Sequence, residues 1–111
     1  MSAAKQKGTM AETAVVNWLK GKGRPYVERR SLNGNNDRGD IAGIPCVVIE
    51  VKNCARMELP KWLSELEVEV KNDKADTGTV IHKKKGTTDV GQWYATMPAD
   101  TWYDLIAKAG Y

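Results

Sequence analysis

The chain has little of what thiolate-metal, disulfide-bonded or membrane-spanning proteins require. It contains two cysteines and one histidine, too few for a thiolate zinc site. If residues 46–54 are largely extended, Cys46 and Cys54 lie roughly 25 Å apart at ~3.3 Å per residue, far beyond disulfide reach. No apolar run approaches the length of a membrane span, and the N-terminal stretch lacks the apolar core of a signal peptide. No internal repeat or low-complexity tract occurs. These absences set the expectation of a reducing, cytoplasmic setting and no membrane partner.

What is present fits one domain, residues 1–111, long enough for a single core. The formal charge is +3, unevenly spread. Residues 1–45 carry eight Lys/Arg against four Asp/Glu, and residues 46–78 carry five against seven. A basic first half beside an acidic middle fits a polyanion-binding face with carboxylates nearby, and ordinary solvated charge fits the same numbers.

Along the chain, Ala11, Ala14, Val15, Trp18 and Leu19 recur at helical spacing, which predicts an amphipathic helix from about residue 3 to Lys20, stopped by Gly21-Lys22-Gly23. Glu12 lies at the edge of its apolar stripe. Thr9-x-x-Glu12 reads as a capping box. With Ser2 as N-cap instead, Glu12 falls inside the helix and is available for a metal; both readings stand. Tyr26–Arg29 predicts a short strand flanked by Arg24, Arg29 and Arg30, and residues 31–37 a loop. Arg38–Ala42 predicts a second strand and Cys46–Lys52 a third, joined by the turn Gly43-Ile44-Pro45. Leu59, Trp62, Leu63, Leu66 and Val70 mark a second helix opening near Pro60. Glu65, Glu67 and Glu69 lie off that stripe and read as a solvated face. Thr79–Lys83 and Gln92–Met97 predict two more strands, with Lys83-Lys84-Lys85-Gly86 leading into a turn. Pro98–Ala109 predicts a last helix with Trp102, Leu105, Ile106 and Ala109 on one face. His82 has no acid near it in sequence and is given no chemistry. Trp93, Tyr94 and Trp102 are candidates for either core or a protein-contact surface. The expected class is α/β with a mixed sheet, in the order α-β-β-β-α-β-β-α.

The chemistry concentrates in the second and third strands. Side chains alternate faces along a strand, so Glu50 and Lys52 point one way while Val47, Ile49 and Val51 point the other. An apolar strand that places a carboxylate and an ammonium on one face must partner them, because unpaired charge is costly to desolvate. Asp40 is expected across the hairpin from Glu50; it is favoured over Asp37 because it enters the strand directly. Two carboxylates and a lysine at one place suit a divalent metal and hydrolysis of a phosphodiester.

Asp40 followed by Glu50-Val51-Lys52, with Lys7-Gly8-Thr9-x-x-Glu12 upstream and an arginine-bearing strand between, resembles the PD-(D/E)xK nuclease superfamily. Within it the chain is most similar to Holliday junction resolvases of the archaeal Hjc type and their phage-encoded relatives. The resemblance covers most of the chain in element order, with its specific motifs in residues 7–52. It implies a restriction-endonuclease-like core and a homodimer that makes paired nicks in four-way DNA junctions with Mg2+ or Mn2+. It assigns metal binding to Asp40, Glu50, the Val51 carbonyl and Glu12, and assistance of water attack to Lys52. The accompanying expectation for phosphate contacts is Lys5, Lys7, Arg29, Arg30 and Arg38. One departure is visible: the family's loop serine has Asn35 and Asn36 at the comparable positions, with Ser31 well upstream. Another PD-(D/E)xK nuclease acting on linear or branched DNA, and a non-catalytic DNA-binding module, are the alternatives.

Overall fold

The computed structural model describes residues 2–30 and 37–111. The described residues form helix α1 (Ala3–Gly21), strands β1 (Glu28–Arg29), β2 (Ile41–Ala42) and β3 (Val47–Lys52), and helix α2 (Leu59–Asp73). Strand β4 (Thr77–His82), a 3-10 turn (Val90–Gln92), strand β5 (Tyr94–Thr96) and helix α3 (Ala99–Lys108) complete them. The five strands make one mixed sheet in chain order, with β3 and β4 parallel and the other neighbours antiparallel. This is the expected α/β class and element order. The parallel pair is joined through α2, as a parallel connection requires.

Local chemistry explains the boundaries. Ser2 caps α1, its Oγ accepting from the Lys5 N–H at 3.1 Å. That settles the start of the helix on Ser2, so Glu12 lies inside α1 and the capping-box reading of Thr9 falls. Pro60 sits in the first turn of α2, where its missing N–H costs nothing. Lys74 ends that helix in the left-handed region at φ 52°.

The second strand is shorter than expected, two residues rather than the five of Arg38–Ala42. Gly39 has φ +95°, and at Asp40 the backbone divides its bonds between two neighbours. The Asp40 N–H donates to the Ile49 carbonyl on β3 at 2.9 Å, while its carbonyl accepts from the Arg30 N–H at 2.8 Å. A regular strand residue turns both groups to one side, so pairing stops here. The turn into β3 depends on Gly43 at φ +109°, where an added Cβ would come within 2.7 Å of Val27 Cα.

The two sheet faces are covered by different helices. Ile49 and Val51 pack with Ala11, Val15 and Leu19 of α1, with Val47 at the margin. On the other face Val48 and Val80 pack with Trp62 and Leu66 of α2. Each such buried side chain contributes about 1.5–3 kcal/mol. The alternation along β3 therefore turns Val48, Glu50 and Lys52 toward α2. Helix α3 is different: among the described residues it buries none of its own, and Trp102 is 55% exposed. Trp93, by contrast, is core, its Nε1 donating to the Thr87 carbonyl. Both cysteines are free and exposed, and no described helix is long and apolar enough to cross a membrane.

Candidate functional site

The site forms where the β2–β3 hairpin ends. Ile41 pairs with Ile49, which leaves Asp40 and Glu50 side by side at the point where β2 leaves the sheet. The Val51 N–H, facing the departed strand, donates to Asp40 Oδ2 at 2.7 Å. This bond fixes the carboxylate within the sheet edge. Glu50 is 6% exposed, and Lys52, on the same face, places Nζ 3.5 Å from Glu50 Oε1. The sequence-expected trio Asp40, Glu50 and Lys52 is brought together.

Helix α2 adds two carboxylates to this face. Glu65 Oε2 accepts from Lys52 Nζ at 3.0 Å. Glu69 is the larger correction: it was expected on a solvated face, yet it is 1% exposed and lies against Glu50. Glu67 does point to solvent, paired loosely with Lys71. The reason for Glu69 is its phase. It follows Trp62 by seven residues and Leu66 by three, so it shares their buried line. Spacing from Trp62 and Leu66 was the signal available in the sequence.

Crowding of carboxylates sets the electrostatics. Burial pushes Asp40 up to about 8, helped by the charge of Glu50 and opposed by the Val51 N–H. Burial pushes Glu50 up to about 9, helped by its contact with Glu69 and opposed by Asp40 and Lys52. Glu69 is raised too, first by burial and then by the charges of Asp37 and Asp40. Burial works against the Lys52 ammonium, but Glu65 and Glu50 outweigh it and hold the lysine charged. One ammonium thus faces several carboxylates that cannot all ionise without more positive charge.

Glu12 approaches from the α1 side. It accepts from Arg29 Nε at 3.0 Å, and its charge adds to the upward shift of Asp40. The arginines expected to contact phosphate are engaged within the chain. Arg29 holds Glu12, and Arg38 Nε donates to Asp73 Oδ1 at 2.6 Å. Arg30 turns its Nη2 to the same carboxylate at 4.0 Å. Lys5 is exposed, and Lys7 lines an open cleft of about 680 Å3 beyond the C-terminal ends of β3 and β4. Lys52, Lys83, Lys84 and Lys85 line the same cleft, with Trp62 and Tyr94. The free basic surface is thus the lysine cleft more than the arginine strand. His82 closes its floor, bonded through Nε2 to Thr96 Oγ1 at 2.7 Å and tilted against Trp62 and Tyr94. Burial lowers its pKa, in keeping with a structural role.

The sequence favours Asp40 over Asp37, and the structure gives Asp37 a place beside Glu50 and Glu69. Asp37 Oδ1 caps the Gly39 N–H at 2.9 Å. The loop serine question, on Ser31, Asn35 and Asn36, lies outside the described residues.

The arrangement has the chemistry of a hard-cation centre. Its donors are carboxylate oxygens, a lysine lies beside them, and Glu50 Oε2 is buried with no partner among the described residues. These residues fit a divalent metal. Comparison of the chain with family models, with curated proteins and with solved structures gives no match.

Proposed function

We propose that the chain is a divalent-metal-dependent DNA endonuclease of the PD-(D/E)xK kind, acting on branched DNA and on four-way junctions foremost. The observation that carries the reading is the hairpin end, where Asp40 and Glu50 sit side by side with Lys52 Nζ 3.5 Å from Glu50. Asp40, Glu50 and the Val51 carbonyl would hold Mg2+ or Mn2+, with Glu12, whose charge is felt at Asp40, as a further oxygen donor. Such an ion supplies a polarised phosphate and a bound water that ionises near neutral pH.

The chain's own residues do the rest. Val51 holds Asp40 in one orientation, so the site is ordered before substrate arrives. Lys52, kept charged by Glu65, is placed to balance negative charge growing on the phosphate during attack. Lys7, Lys83, Lys84 and Lys85 supply phosphate contacts in the adjoining cleft, which position DNA without reading its sequence. Paired nicks need two such centres, and the exposed Trp102 and Leu105 of α3 support a homodimer by offering an apolar face.

The test offers the purified chain a four-way junction, a splayed duplex and a linear duplex with MgCl2. Paired nicking confined to the junction is expected, with loss of cutting in Asp40→Asn and Glu50→Gln. Equal cutting of linear duplex sinks the junction preference. Wild-type rates in both variants sink the site.

A further inference from the structure

Glu69 is in an expensive position. It is 1% exposed, and neither of its carboxylate oxygens has a hydrogen-bond partner among the described residues. Glu50 Oε2, beside it, has none either. Buried carboxylates without donors cost several kcal/mol, so they ordinarily carry a partner. Among the described residues, no cationic group makes an ion pair with Glu69 or with Glu50 Oε2. Lys52 serves Glu65 and Glu50, while Arg38 and the Nη2 of Arg30 turn to Asp73.

One oxygen each from Asp37, Glu50 and Glu69 lies within 4.8 Å of the other two. Oxygen ligands sit roughly 2.0–2.6 Å from hard divalent cations, so two across one ion are about 4–5 Å apart. The three carboxylates are already spaced for a shared ion, and Glu69 brings one of its two buried, unpartnered oxygens to the place it would take.

We propose that Asp37, Glu50 and Glu69 form a second site for a hard divalent cation, on the α2 face of β3 and sharing Glu50 with the Asp40 centre. The exposed Asp37 gives the ion its route from solvent, while Glu69 anchors it from the helix. This goes beyond the nuclease reading and does not depend on it: cation binding here does not require that the chain cut DNA.

The test counts Mn2+ bound to the full chain by electron paramagnetic resonance near pH 7.5, with MnCl2 as the only added metal. Glu69→Gln, nearly isosteric, is expected to lose one equivalent or bind it at least roughly tenfold more weakly, since even outer-shell changes cost that much. Asp37→Asn, which keeps an oxygen to accept from the Gly39 N–H, is expected to weaken the same equivalent. Asp40→Asn is expected to leave it in place. If both Glu69→Gln and Asp37→Asn take up Mn2+ as the wild type does, the inference is overturned. That result also follows if Glu50 and Glu69 merely share a proton. Junction cutting is scored separately. Wild type that binds the Glu69-dependent ion but cuts no DNA refutes only the nuclease reading. Wild type that cuts DNA while Mn2+ uptake ignores Glu69 and Asp37 refutes only this one.

Discussion

Replacing Glu50 with glutamine tests the electrostatics of the site through the stability of the whole chain. In the fold its carboxyl is pushed up from 4.5 to about 9, first by burial and then by Glu69. A carboxyl whose folded pKa exceeds its unfolded value binds its proton more tightly when folded. Stability is then greatest below the unfolded value, 4.5, and drains away as pH rises through the window up to about 9. Asp40, pushed up to about 8, and Glu69, raised in the same direction, add to that slope. Each pKa unit is worth about 1.4 kcal/mol. Two units surviving relaxation and water entry at Glu50 would cost the wild type about 3 kcal/mol at pH 8.

Glutamine keeps the shape, removes the charge, and brings an amide that can donate to the unpartnered oxygens of Glu69. Thermal and urea unfolding in EDTA should therefore find Glu50→Gln more stable at pH 8 by roughly 2–3 kcal/mol, equivalent to about 10 °C. At pH 5 the gap should close to less than about 1 kcal/mol. Added MgCl2 should recover stability in the wild type and not in the variant, by about 2.7 kcal/mol at a hundredfold excess over Kd. Wild-type stability that is flat or rising between pH 5 and 9, or a variant less stable at pH 8, would refute the reasoning.

Gly43→Ala should destabilise by more than about 1 kcal/mol, because φ is +109° and the new Cβ would press on the β1 approach at Val27; an unchanged urea midpoint would contradict this. Lys84→Ala with Lys85→Ala should leave folding intact, since both are exposed, and should flatten the salt dependence of DNA binding by about two phosphate contacts. A salt slope equal to wild type would take the cleft out of the interface. Glu12→Gln removes a part-exposed pair with Arg29 and should cost less than about 1 kcal/mol of stability, yet it should slow cutting measurably; full activity would return Glu12 to a structural role.

Much of the sheet could be read directly. The alternation of Val47, Ile49 and Val51 with Glu50 and Lys52 gave both faces of β3, and the register of Ile41 with Ile49 placed Asp40 where the hairpin predicted it. Glu69 was misread because a run of glutamates on a helix usually means water, and the local pattern carries no sign of what stands opposite. Its seven-residue spacing from Trp62 was the better guide. The arginines were legible as charge but not as partners, since Asp73 lies thirty-five residues from Arg38. For α3, periodicity showed an apolar face, but among the described residues none of that helix is fully buried. Periodicity reports amphipathicity, not what covers it.

The end of β2 shows why the site sits where it does. Had Asp40 stayed in a regular strand, its side chain would stand clear of the sheet plane and a backbone carbonyl would satisfy the Val51 N–H. Instead the backbone at Asp40 bonds to β3 through its N–H and to the β1 side through its carbonyl, and the carboxylate takes the Val51 donor. The lost ladder bond is thereby replaced by a charge-assisted one. The same replacement brings a carboxylate into the sheet edge, beside Glu50 and within the field of Glu12 from α1. A strand one residue longer would bury the donor and remove the site. The short β2 is therefore the feature on which the proposed chemistry depends, and Gly39, at φ +95° immediately before Asp40, lets the chain turn away in time.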